Sequence, residues 1–349
     1  MITDTPSSSP ARICTRGGTS RLAPLMLALA LIPGSAALAD RTIQERRPAD
    51  PRGAVEILDL QGTIELSGWN RPEVEVTGTS SSDAARIEVT TSGDHTRIRV
   101  TPQLGSMSDR DDLKLVIHVP AASSVSATLV NASLTVSGIT GDANLHTIGG
   151  NLSGTVGGNL RANTVNGAVR MSAREGRDVE VKTINGDVDL EAGSGEVEVA
   201  TVSGDVKVAL ASLERGRFKS ISGKLSVQLA LAPDAELDAQ SVSGSIHLDF
   251  PAAPQADFDV QTFGGRIDSC FGPAPTESHY GPGSRLAFKS GDTHARVRID
   301  TKSGDVSLCA AGLKHEHASA EPAPLSEPAP RGKQVARSST TRLSMLYII

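Results

Sequence analysis

Along most of the chain, apolar residues alternate with polar ones at period two, the spacing that buries every second side chain of a β-strand. The alternation is sharpest around a recurring phrase. It reads TIGGNLSG from Thr147, TVNGAVRM from Thr164, TINGDVDL from Thr183, TVSGDVKV from Thr201, SISGKLSV from Ser220, SVSGSIHL from Ser241, TFGGRIDS from Thr262 and TKSGDVSL from Thr301. Two and four residues after each phrase glycine the side chain is apolar in most copies, as in Val188 and Leu190 or Leu225 and Val227. Seven and five residues before it a second apolar pair recurs, as in Val179 and Val181 or Phe258 and Val260. Each copy therefore predicts two short strands joined at a tight corner.

The phrase glycines are Gly150, Gly167, Gly186, Gly204, Gly223, Gly244, Gly265 and Gly304, spaced by 17, 19, 18, 19, 21, 21 and 39 residues. Coils of this length suit a repeat architecture in which each unit buries its apolar face against the next. Asn-Gly and Ser-Gly corners also suit β-hairpins, because glycine supplies the positive φ of a tight turn. Stacking and hairpins both fit that chemistry. Identical corners favour stacking, since like residues then form ladders: Thr164, Thr183 and Thr201 in one, Asn166 and Asn185 in another.

The pattern predicts an all-β chain: a parallel β-helix-like solenoid over residues 121–311, preceded by a less regular β region over 53–120 that covers its exposed end. Residues 40–52 read as a polar lead-in, and 312–349 as a Pro/Ala/Glu-rich tail that buries too little apolar surface to fold.

At the N-terminus, Arg12, Arg16 and Arg21 precede an apolar run from Leu22 to Ile32 and the small-residue site Ala37-Leu38-Ala39. This is the layout of a secretory signal cleaved between Ala39 and Asp40, its apolar run far shorter than the roughly 20 residues that cross a bilayer. The expected location is periplasmic or cell-surface, with no transmembrane span in the mature chain. Without residues 1–39 the chain carries 31 basic against 39 acidic residues, a net charge of −8 that argues against nucleic acid as partner. One Trp, two Tyr and six Phe against 34 Gly suit a narrow aliphatic core rather than a wide one.

The segment LQGTIELSGWNRPEVEVTG around Trp69, the LVIHVP ending at Pro120 and the serial SGDV and NGDV copies resemble the bacterial putative-adhesin family, a β-strand-repeat domain of unknown function. The similarity covers roughly 53–311. It implies a β-helix-like fold and an envelope or surface location, and it implies no catalytic residues.

Asp187, Asp205 and Asp305 follow the turn glycine and raise the question of calcium. The calcium-binding β-roll needs a nine-residue period, so solvated turn carboxylates are the simpler expectation. Asp189, Asp249 and Asp268 fall on outward positions, where a polysaccharide-cleaving acid and base would have to stand. His146 and His247 also face outward, His315 and His317 lie in the tail, and Trp69 reads as a packing residue at a strand end. No nucleophile elbow, zinc motif or phosphate loop is present, so no cofactor is expected. The sequence points to a non-catalytic scaffold whose partner is an envelope protein, glycan or wall polymer, with a β-helix enzyme on envelope polysaccharide as the alternative. Cys270 and Cys309 each lie five residues after a phrase glycine, which predicts a disulfide between neighbouring coils of an exported chain.

Overall fold

The computed structural model describes residues 41–80, 85–102, 113–277, 282–292 and 294–311. The expected signal, its Ala39/Asp40 cleavage site and the tail lie outside the described residues. Those described form strands and turns with no helix.

The N-terminal region comprises β1 (Arg41–Pro48), β2 (Ala54–Trp69), β3 (Glu73–Ser80), β4 (Ala85–Ser92), β5 (His95–Pro102) and β6 (Lys114–Pro120). The repeats continue as β7 (Ser124–Ile139), β8 (Ala143–Gly149), β9 (Leu152–Val156), β10 (Leu160–Asn166), β11 (Val169–Ala173) and β12 (Asp178–Asn185). Longer strands follow: β13 (Val188–Ser203), β14 (Val206–Ser222) and β15 (Leu225–Ser243), then β16 (Ile246–Phe250), β17 (Ala256–Thr262) and β18 (Ile267–Ser269). The last are β19 (Thr276–Glu277), β20 (Ser284–Ser290), β21 (Arg296–Thr301) and β22 (Val306–Ala310).

Successive repeats pair in parallel and in register, so the corners join stacked rungs and not hairpins. Residues before the turn glycine form one column, in which Leu160 pairs with Val179 and Val179 with Val197. Residues after it form a second, in which Val169 pairs with Val188, Val188 with Val206 and Val206 with Leu225. The inward side chains of both columns make one narrow core, with Val181, Leu190, Val227 and Ile246 fully buried. Because β7 and β13 run through a corner and serve both columns, hydrogen bonding also closes into the ring β7–β8–β10–β12–β13–β11–β9. A reading of the repeats as separate coils does not anticipate that closure.

The ends depart further from sequence order. Strand β15 pairs with β21, and β21 with β17, so the last rung in the sequence is inserted between those of Gly244 and Gly265. Strand β20, from the excursion after Gly272, runs antiparallel to β17 and covers the terminal rung. At the other end β5 and β6 both run parallel to β2 and add a rung outside it, covered in turn by antiparallel β4 and β3. The polar lead-in expected over 40–52 is instead strand β1, antiparallel to β3 from Arg41↔Ser80 to Pro48↔Glu73. Its charged residues suit an edge position, where Arg46 and Arg47 discourage pairing with another chain.

The turn glycines have a shared reason that turn chemistry alone does not give. Gly150, Gly204 and Gly223 adopt φ of 116°, 133° and 125°, but Gly244, Gly265 and Gly304 are not left-handed. At all eight phrase glycines a Cβ would stand only 2.0–2.2 Å from the carbonyl oxygen of the adjacent rung. Stacking distance, more than φ, excludes a side chain there.

A candidate interaction surface

Two residues before each turn glycine the side chain points outward, and alternation would place a polar residue there. The row instead holds Ile148, Ile184, Val202, Ile221, Val242 and Phe263, exposed by 48, 45, 38, 49, 47 and 64%. Val130 and Val165 fill the same position in their rungs and are half-buried. Lys302, on the inserted rung, stands between Val242 and Phe263: its N–H donates to the Ser241 carbonyl, and the Phe263 N–H to that of Thr301. Large exposed apolar side chains gathered in one line are unusual, because scattered ones are the norm on a soluble surface.

A parallel row lies two strand residues away and is polar except at Ala200: His146, Asn163, Lys182, Ala200, Lys219, Gln240, Asp300 and Gln261. Between the two rows runs a groove floored by the backbone of the inward Thr and Ser residues. It deepens into a concavity of about 340 Å³ beside Lys219, Ile221, Val242, Asp300 and Lys302. Another of about 480 Å³ beside Phe263 is bounded by Arg285 of β20. On the far side of the apolar row stand the small neutral residues Asn166, Asn185, Ser203, Ser222, Ser243 and Ser303. The Asn185 amide donates to Asn166 Oδ1 at 3.1 Å, the ladder contact expected of stacked copies.

A larger concavity, about 760 Å³, lies over the N-terminal rungs, where charged residues such as Glu56, Arg97, Arg161 and Glu180 stand among apolar ones such as Val55 and Leu160. Arg97 Nε meets Glu56 Oε2 at 2.6 Å and Arg161 Nε meets Glu180 Oε2 at 2.7 Å along its wall. Hydrogen bonds from Lys182 and then Arg161 hold the Glu180 carboxyl below the usual carboxylate range. Such a surface offers hydrogen bonds to a hydroxyl-rich ligand, but its arginines are already paired with Glu56 and Glu180.

The acidic residues singled out by sequence take other roles. Asp187 Oδ1 accepts the Asp205 N–H at 3.0 Å, Asp205 Oδ1 accepts the Lys224 N–H at 2.8 Å, and Asp305 Oδ1 accepts the Arg266 N–H at 2.8 Å. These carboxylates clasp one rung to the next and are more than solvated. Among the described residues no three His, Cys, Asp or Glu side chains converge as a metal-binding group. Asp189, Asp249 and Asp268 do point outward. They sit at least two rungs apart, about 10 Å or more at the strand spacing, beyond the roughly 5–9.5 Å of paired glycosidase carboxylates. His146 is exposed and His247 half-buried, while His315 and His317 lie outside the described residues.

Trp69 packs at its strand end: its Nε1 donates to the Glu73 carbonyl at 2.8 Å, the ring stacks on His118 at 5.0 Å, and Arg71 lies 4.9 Å from its centre. Beside it Ser67 Oγ meets His118 Nδ1 at 2.5 Å, and Glu75 stands opposite His118 on β3. The resulting Ser–His–Glu row ends on Arg46, whose guanidinium donates to Glu75 Oε1 at 2.7 Å. The carboxylate that would orient a catalytic imidazole is thus committed to an arginine. Cys270 and Cys309 form a disulfide with Cα atoms 5.0 Å apart, on adjacent rungs of the second column.

Sequence reasoning missed the apolar row, although its signal stood in the phrase itself: the second residue reads I, V, I, V, I, V, F, K. It missed the Ser67–His118–Glu75 row because no spacing along the chain brings β2, β6 and β3 together.

A structure described as a putative adhesin from Bacteroides fragilis aligns over 78% of this chain and 98% of its own, at 11% identity and a TM-score of 0.45. One from Parabacteroides distasonis, also described as a putative adhesin, aligns over 76% and 97% at 13% identity and a TM-score of 0.31. No curated protein matches the sequence. A model of the Toastrack DUF4097 family matches residues 58–309, well over half of the chain, in the same strand repeats that carry the apolar row, and the protein belongs to that family.

Proposed function

We propose that the chain is an exported envelope protein that acts by contact and not by catalysis, a β-solenoid whose apolar row is its working surface. The observation that carries this reading is the line of six exposed apolar side chains between Ile148 and Phe263, in positions where alternation calls for polar residues. Keeping six such side chains in water is unfavourable by about 25 cal/mol for each Å² of apolar surface. Covering them provides the driving force for association. The signal-like N-terminus supports export to the periplasm or the cell surface. The family resemblance to proteins described as adhesins agrees with a contact role.

The competing reading is a β-solenoid hydrolase on envelope polysaccharide. Incubating purified protein with wall and capsule polysaccharides should release no soluble product. Product formation abolished by Ser67→Ala or Asp189→Asn would replace the contact reading with the enzymatic one.

A further inference from the structure

We propose that the occupant of the apolar row is a second copy of this chain, its own row laid into the groove beside the first. The idea rests on reading the row as a contact surface, and it names the partner. Three observations carry it.

The first is periodicity. Each position of the row, that of Lys302 included, is one strand spacing, about 4.8 Å, from the next. A second copy repeats at that same interval, so every side chain of one row meets the groove at an equivalent place along its length. With the two stacks running the same way about a two-fold axis along them, equal rungs face each other, and each row enters the other's groove reciprocally.

Charge is the second. In this arrangement the polar row of one copy faces the neutral Asn/Ser row of the other, so Lys182 and Lys219 meet Asn185 and Ser222 rather than a like charge. At the inserted rung Lys302 of each copy enters the groove between Asp300 and Lys302 of the other, so two Asp300–Lys302 contacts flank and offset the meeting of the two lysines at the axis. Among the described residues neither Asp300 nor Lys302 has an ion-pair partner within the chain. Reversing the direction of one stack would instead set row on row, with Lys182 opposite Lys219 about Val202.

The third is area. The row from Val130 to Phe263 is about 38 Å long, and the strip from the polar row to the Asn/Ser row, three residues along each strand, about 10 Å wide. Its projected area of about 380 Å² is about half the roughly 800 Å² per partner of a standard interface, the range of weak, transient contacts. That suits a reversible dimer.

Sedimentation velocity of the purified protein over a wide concentration range should show a monomer–dimer equilibrium. Val202→Lys should abolish the dimer, and Asp300→Lys should weaken it by about tenfold or more, as loss of a close opposite charge does. The double change Asp300→Lys with Lys302→Asp should restore it, because the pair is rebuilt with its signs exchanged. Ile148→Cys, near the end of the row, should give a disulfide-linked dimer, since equal rungs face each other. A wild-type protein that stays monomeric throughout, a dimer indifferent to Val202→Lys, or failure of the double change to restore what Asp300→Lys loses would overturn the proposal. A monomer that still binds envelope fragments through the row would leave the contact role standing and assign the surface to another partner.

Discussion

Gly304 stacks on Gly244: a Cβ on Gly304 would stand 2.2 Å from the Gly244 carbonyl oxygen, although 60 residues separate the two. Gly265, which follows Gly244 by the regular interval of 21, stacks on Gly304 instead, its own Cβ position 2.0 Å from the Gly304 carbonyl. The last rung is therefore driven between two that precede it. Gly304→Ala should destabilise the fold by about 2 kcal/mol or more through this clash. Gly264→Ala, one residue from a phrase glycine but with its nearest neighbour at 3.3 Å, asks for a shift of only a few tenths of an ångström and should cost much less. Equal melting temperatures for the two variants would contradict the insertion.

The Cys270–Cys309 disulfide locks the inserted rung to the terminal one. Closing a loop of 39 residues stabilises by about 4 kcal/mol in the chain-entropy model. Reduction should lower the melting temperature and first expose amides of β17, β18, β21 and β22 to hydrogen exchange. Denatured, unreduced protein should show neither thiol in titration.

Val188 is 1% exposed in the core, whereas Lys207 on the adjacent rung points into solvent. Val188→Asp buries an unpaired carboxylate and should cost several kcal/mol, on the order of 3. Lys207→Asp should change stability by less than about 0.5 kcal/mol. Thermal or urea unfolding of the pair checks the assignment of the two faces.

Acid should weaken the fold in two windows. Burial, and then the nearby Lys224, hold the His247 imidazole below its ordinary value of 6.5. The unfolded chain then takes up this proton first, so stability falls as pH drops through 6.5 towards the lower folded value. His247→Gln should flatten that part of the curve. Arg46 holds the Glu75 carboxyl below 4.5, as Lys182 and Arg161 do for Glu180. Their contributions persist above that value and are lost only as pH falls further. Melting curves of wild type and His247→Gln across the range separate the two.

Local strand chemistry was legible in the chain, and long-range order was not. Val179, Val181, Val188 and Leu190 announce two buried faces by spacing alone, and the common offset of Cys270 and Cys309 announces neighbouring rungs. Nothing near Gly304 says that its rung enters between two earlier ones, because the insertion lies in the long-range pairing of β21 with both β15 and β17. The polar run over 41–48 hid β1, since an edge strand with one solvated side needs few apolar residues. Phrase position two, read only as part of a turn, concealed the apolar row; its outward direction follows from the buried Thr and Ser beside it.

The central claim is that this row is where the protein makes contact. Envelope fragments from cells that make the wild-type protein, incubated with labelled purified protein and pelleted, test it most directly. Wild type and the outward second-column variant Gln228→Lys should pellet alike, and Val202→Lys combined with Ile221→Lys should stay in solution while remaining folded by circular dichroism. Pelleting of the double variant as strongly as wild type would contradict the account.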